Sequence, residues 1–183
     1  NTDRIVLTPV LAEPAAPREA ENAKRIEASA GRTAEVINDS NASGGQWVIG
    51  RMGGAGDSVS VTMDVYDIGT YQVIVRHKTT SSRATAQLFV NEVPVGDPYD
   101  QYAGSETYKE NRYGTFSFDV PGEYTFKFVV TGKNGSSGGH DVSVDAIKLE
   151  SVPRMTVSGP TTVDVGESIA LHAQIEGTAP LYA

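Results

Sequence analysis

Two-residue alternation of apolar and polar side chains, interrupted repeatedly by turn signals, is what most constrains the fold of this chain. In "SVSVTMDVY", Val59, Val61, Met63 and Val65 share one face of an extended segment. "IGTYQVIVRH" repeats the pattern through Tyr71, Val73 and Val75. "YGTFSFDVPGEYTFKFVV" sets Phe116, Phe118 and Val120 before a Pro-Gly turn and Tyr124, Phe126, Phe128 and Val130 after it, the pattern of a hairpin. "ATAQLFVNEVPV" reads as a strand, a tight turn at Asn91-Glu92 and a short return, while "TAEVIND" and "QWVIG" flank the turn-rich "DSNASGG". "HDVSVDAIKLE" closes the set, and no long amphipathic helix is evident. Half-buried strands with frequent turns predict an all-β fold, an antiparallel β-sandwich of the jelly-roll type.

The chain is longer than one such unit needs, and its rhythm divides it. Residues 1–18 mix Pro, Ala and Glu and read as a linker or edge segment; residues 19–152 carry the sandwich pattern. After Val152-Pro153, "GPTTVDVGESIALHAQIEG" resembles the first two strands of a bacterial immunoglobulin-like domain. Residues 153–183 fall far short of the roughly 100 residues such a domain takes, so the chain is expected to be a piece of a larger modular protein. The absence of cysteine excludes thiol chemistry, Cys-based zinc sites and disulfides together. A formal net charge of −8 argues against partners such as nucleic acid or an anionic membrane surface. No apolar run approaches the roughly 18–20 residues of a membrane span. No signal peptide is visible, and the expected setting is that of a mature piece of a secreted, extracellular protein.

One carboxylate stands on the wrong face. In "VDAIKLE", Asp145 shares parity with the apolar Ile147 and Leu149. An inward carboxylate is costly unless paired or bound to a cation. In "EAENA", Glu19 and Glu21 lie two residues apart, on one face if extended. Pairing of the first and last strands would bring three carboxylates together, and hard oxygen ligands in that number suit calcium. The alternative is that Asp145 sits at a bulge and meets a lysine or backbone amides.

Taken in order, "EAENA", "SNASGGQWVIG", "VSVTMDVYDIGTYQVIVRH", "LFVNEVPVG", "GTFSFDVPGEYTFKF" and "VSVDAIKLE" resemble carbohydrate-binding modules of families 6 and 35. Those are β-sandwiches appended to secreted glycoside hydrolases and polysaccharide lyases. The resemblance spans roughly residues 19–151 and rests on order and spacing, since no single piece is specific. Golvesin-like and lyase-associated accessory domains, which also end in "D-A-I-x-L"-type strands, are similar. The family resemblance implies a structural calcium near the joined termini, and its acidic positions fall on Glu19, Glu21 and Asp145. If "RIEAS" is instead the first strand, Glu27 replaces Glu19 and Ser29 stands where the second acid belongs.

The resemblance also implies a sugar site, in the loops at one end of the sandwich or on a concave sheet face. Sugar rings present C–H faces and hydroxyl rims, which aromatic platforms and planar polar side chains complement. The polar segment 98–114 shows no apolar period and is expected as a long loop. It supplies Tyr99, Tyr102, Tyr108 and Tyr113 with Asn111 and Arg112, and "TGKNGSSGGHD" could face it with Asn134 and His140. The competing reading puts Tyr113 in the core and uses Tyr99 to pin the loop. Trp47, the lone tryptophan, is expected in the core. Asp97, Asp100, Glu106 and Glu110 could hold a second calcium that bridges to an acidic sugar.

"GRMGGAGDS" is expected as a turn rather than a phosphate loop, because a strand and no helix follows it. His77, His140 and His172 lie in separate elements, which disfavours zinc. No acid pair or nucleophile signature stands out for catalysis. The expected function is that of a non-catalytic module that binds polysaccharide and is covalently linked to a lyase or hydrolase domain. The alternative is a structural spacer or protein-docking sandwich.

Overall fold

The computed structural model describes residues 16–152, together with the backbone of residues 154–158 and 172–176. Its strands are β1 (Arg18–Glu19), β2 (Arg25–Ala28), β3 (Thr33–Asn38), β4 (Gln46–Arg51), β5 (Ser58–Val65), β6 (Gly69–Thr79), β7 (Ala84–Val90), β8 (Val93–Asp100), β9 (Thr107–Phe118), β10 (Gly122–Lys133), β11 (Val142–Val144), β12 (Ala146–Ser151), β13 (Arg154–Ser158) and β14 (His172–Glu176). The described helices are two single 3-10 turns, Ala20–Asn22 and Ser43–Gly45.

One layer is the five-stranded sheet β2-β5-β10-β7-β8. The other is built from β1-β12-β6-β9 and β11-β4-β3, which abut because β11 and β12 are halves of one extended run interrupted at Asp145. These pairings are antiparallel throughout. Val59, Val61, Leu88, Phe126 and Phe128 of the first layer meet Val73, Val75, Phe118, Val144 and Ile147 of the second, all essentially without solvent exposure. Each such side chain contributes roughly 1.5–3 kcal/mol of burial. The all-β antiparallel sandwich is therefore as the alternation predicts.

Three expectations are refined or corrected. Segment 98–114 is not a long loop: β8 runs to Asp100 and β9 starts at Thr107. Its periodicity is hidden because β9 carries a bulge against β6, Val73 pairing with Gly114 and Ile74 with Arg112. The extra residue, Tyr113, is turned into the core, and alternation changes parity across it. Both candidate first strands exist: β1 pairs with β12, whereas β2 pairs with β5 and leaves Glu27 exposed. Glu19 is thus the residue that joins the last strand. The expected immunoglobulin-like segment 153–183 lies mostly outside the described residues, apart from the antiparallel hairpin of β13 and β14. Residues 1–15 also lie outside them.

Candidate functional site

The break between β11 and β12 builds the first feature. Val142 and Val144 face the core before it, and Ile147 and Leu149 after it, so one extra residue sits between the two pairs. Asp145 is there with no solvent exposure. Its carboxylate accepts from the Ser43 amide at 3.1 Å and is paired with the Arg76 guanidinium, which also reaches the Asn41 carbonyl at 3.0 Å. The register Glu19↔Ala146 brings Glu19 alongside, where the Ser43 hydroxyl donates to its Oε1 at 2.8 Å. Gly44, at φ +68°, packs so closely that a Cβ there would stand 2.6 Å from Glu21 Oε1.

Sequence reasoning groups these three acids, and the fold sets them as neighbours around Ser43 and Gly44 without closing them into one metal-holding cluster. Their electrostatics are strained. Burial raises the Glu21 pKa above the ordinary carboxylate value, and the charges of Glu19 and Asp145 raise it further. Burial also raises Asp145, against the opposing pull of the Ser43 amide and Arg76. The buried Oε2 atoms of Glu19 and Glu21 have no hydrogen-bond partner. An oxygen-only donor set with two orphaned buried oxygens fits a hard cation. Asp145 is shared with Arg76, and no three acidic or imidazole groups among the described residues stand converged at metal-holding spacing. Glu19 and Glu21 are therefore the principal candidate ligands, with Asp145 flanking them.

The second feature is the outer face of the same layer. In β6, Val73, Val75 and His77 face the core, while Arg76 and Lys78 project the other way. Lys78 Nζ lies 2.6 Å from Asp39, forms an ion pair with Glu106, and sits 5.1 Å from the Trp47 ring centre. Arg83 covers Trp47 at the same distance, and the indole N–H is buried without a partner. Tyr108 donates its hydroxyl to Asp39 at 2.8 Å, and Arg76 lies 4.3 Å from its ring centre. Asp39 is held well below the usual carboxylate range, first by Lys78 and then by the Asn41 amide and Tyr108. Trp47 is buried, as expected, but on this outer face beneath two cations and not in the central core. Beside this cluster lies a cavity of about 270 Å³ between the Ala16–Pro17 segment, Ile74, Arg76, Glu110 and Lys148. Small-molecule sites usually fall at roughly 300–1,000 Å³.

The third feature is the end of the sandwich where the β6–β7, β8–β9 and β10–β11 connections meet. Asp100 accepts from the Tyr102 amide at 2.9 Å and from Asn134 Nδ2 at 2.8 Å, tying two connections together. Tyr102 also bridges Thr80. Gln101 is wholly buried; its Oε1 accepts from the Ser143 amide at 2.8 Å, and its Nε2 has no partner. His140 is half-buried on the same connection as Asn134.

The eight proposed sugar-binding residues thus do not form one surface. Tyr113 is corrected to a core residue: it is 5% exposed, and its hydroxyl meets His77 Nε2 at 3.0 Å. Tyr99 is half-buried and stacked on His77 at 5.3 Å between ring centres. Tyr108 belongs to the outer-face cluster. Arg112 projects from β9 into an ion pair with Glu150 at 2.7 Å, and Asn111 sits half-buried opposite Val75. Tyr102, Asn134 and His140 remain at the loop end. Of the four rings, Tyr102 alone has no hydrogen-bond or ring partner for its side chain among the described residues. Gln101, which the sequence places among the polar side chains of the 98–114 segment, is instead buried against Ser143; sequence reasoning missed Lys78, Arg83 and Asp39. Lys78 had a signal, since it follows the outward positions Ile74 and Arg76 along β6.

No family model and no curated protein matches the chain. Among solved structures, a xanthan lyase of Paenibacillus matches 90% of this chain and 17% of its own, at 29% identity and a TM-score of 0.70. A β-(1,4)-mannanase of Podospora anserina with GH26-CBM35 architecture matches 76% of this chain and 28% of its own, at 18% identity and a TM-score of 0.53. A family 35 carbohydrate-binding module from an environmental isolate matches 73% of this chain and 91% of its own, at 13% identity and a TM-score of 0.52. The chain therefore has the sandwich fold of family 35 carbohydrate-binding modules, and it spans only about 17% of the lyase.

Proposed function

We propose that this chain is a non-catalytic carbohydrate-binding module, secreted as part of a larger polysaccharide-degrading protein, that keeps an attached lyase or hydrolase domain near its polymer. Tethering raises effective concentration, so even a weak module retains a catalytic domain at its substrate. One observation carries the placement of the site. At the loop end, Tyr102 offers an uncommitted ring beside the cross-linked pair Asp100–Asn134, which supplies planar polar groups in a fixed position. An aromatic face flanked by a few oriented hydrogen-bonding groups is the chemistry that a pyranose ring requires.

Calcium would take Glu19 and Glu21, with Asp145 beside them. Bound there, it supplies charge compensation and no reaction step. These residues join the first strand to the last; the cation's role is to hold β1 in place.

The test is a binding screen of residues 1–183 against neutral and acidic polysaccharides in calcium. Tyr102→Ala is expected to weaken binding at least tenfold with an unchanged melting temperature, whereas Tyr108→Ala, on the outer face, leaves binding intact. Loss of binding in Tyr108→Ala with Tyr102→Ala unaffected would move the site to the outer face. A folded protein that binds no glycan would overturn the reading in favour of a spacer.

A further inference from the structure

The end of the sandwich opposite the loop cluster exposes a group of large hydrophobic side chains, interleaved with the acids Asp67 and Asp119. Six large hydrophobic residues are exposed on the described surface, and four of them, Tyr66 (70%), Ile68 (61%), Val120 (65%) and Val152 (38%), belong to this end. Register places them together. Val65 pairs with Gly122 and Gly69 with Phe118, so the β5–β6 and β9–β10 turns lie side by side. Val152 donates its amide to the Thr70 carbonyl at 3.0 Å, which sets it next to the same turns. Both turns are pinned from inside: the Tyr71 hydroxyl donates to the Ile68 carbonyl at 3.4 Å, and that of Tyr124 to the Val120 carbonyl at 2.8 Å. Apolar side chains held out to water on anchored turns form a ready contact surface rather than a loose one.

The chain itself names the occupant. Val152 is the last residue of the sandwich, and only Pro153 separates it from β13, the first strand of the next hairpin. Two peptide steps hold Arg154 within about 7.6 Å of Val152 by Cα geometry. We infer that Tyr66, Ile68, Val120 and Val152 form a docking face for the segment that begins at Arg154, so that the sandwich and the unit after it meet through a packed apolar contact at the pole opposite Tyr102. This differs from sugar binding in both location and partner, and it stands whether or not the loop end binds glycan.

The chain has no cysteine, so two can be introduced cleanly. Spin labels at Asp119→Cys and Thr156→Cys of the full chain should give a narrow distance distribution by pulsed electron resonance. Adding Ile68→Ser and Val120→Ser, both exposed and outside the core, should broaden it severalfold while circular dichroism stays unchanged. A distribution as broad as a free tether in the unsubstituted background would sink the inference. So would an unchanged distribution in the serine variant. A dimer in sedimentation that the serine substitutions dissociate would reassign the face to a second copy of this chain and overturn the intramolecular contact.

Discussion

His77 lies wholly inside the sandwich and is fixed at both ring nitrogens. Nδ1 stands 2.6 Å from the Ser143 carbonyl and must donate to it, so Nε2 accepts from the Tyr113 hydroxyl at 3.0 Å. That arrangement requires the neutral ring, and burial lowers its pKa from 6.5 to about 4, with Arg83 pushing the same way. Between those values the unfolded chain binds a proton that the native state refuses. The stabilisation is complete above pH 6.5 and is lost as pH falls towards 4, a change of about 3 kcal/mol at 1.36 kcal/mol per pH unit. Thermal melts of the parent and His77→Gln across this window should show a steeper acid loss in the parent; parallel curves would contradict it. The sequence offered His77 only as an inward position of an alternating strand. Its partner Tyr113 was offered as core only as a competing reading, because a single inserted residue in β9 reverses the parity by which inward positions are read.

At the scale of elements, β3, β6 and β9 are tied on the outer face through Asp39, Lys78 and Tyr108. Tyr108→Phe removes the hydroxyl that Asp39 accepts while keeping the ring beneath Arg76. We expect a loss of about 1 kcal/mol by denaturant titration, the usual worth of one such bond; a neutral result would mean that Lys78 and the Asn41 amide satisfy Asp39 unaided. The strands themselves were legible because period-2 alternation reports directly which face is buried. The cross-strand cluster was not, because outward positions carry no periodic signal and meet only through register. Close backbone approach was equally silent in the sequence. Gly96, at φ +61°, lies against Tyr113 so tightly that a Cβ would fall 1.5 Å from the Tyr113 carbonyl oxygen, which locks β8 onto the β9 bulge.

For the whole molecule, the acid cleft links the first strand of the sandwich to the last, so a cation there acts on global stability. Addition of calcium should raise the melting temperature of the full chain by several degrees and a chelator should reverse it. Glu21→Gln should abolish most of the response while raising the metal-free stability, because it removes a carboxylate whose ionised form is disfavoured by burial and by its neighbours. A melting curve indifferent to calcium would leave Arg76 and Ser43 as the partners that satisfy the cleft. That Glu19, Glu21 and Asp145 become neighbours was readable from two short motifs; that Arg76 pairs with Asp145, and that the three acids do not close into one cluster, was not. The loop end was readable only in part: a tyrosine in a polar segment looks the same in sequence whether it faces water, a cation or the core.

Because β1 runs antiparallel to β12, with Arg18 opposite Ile147, the chain arrives travelling back along the strand by which it departs. The described chain thus enters along the edge of the strand by which it leaves. Tension applied between Ala16 and Val152 would peel β1 from β12 one backbone pair at a time, and would not shear a long ladder at once. The two residue pairs of β1 are the knot that keeps this edge of the sandwich tied.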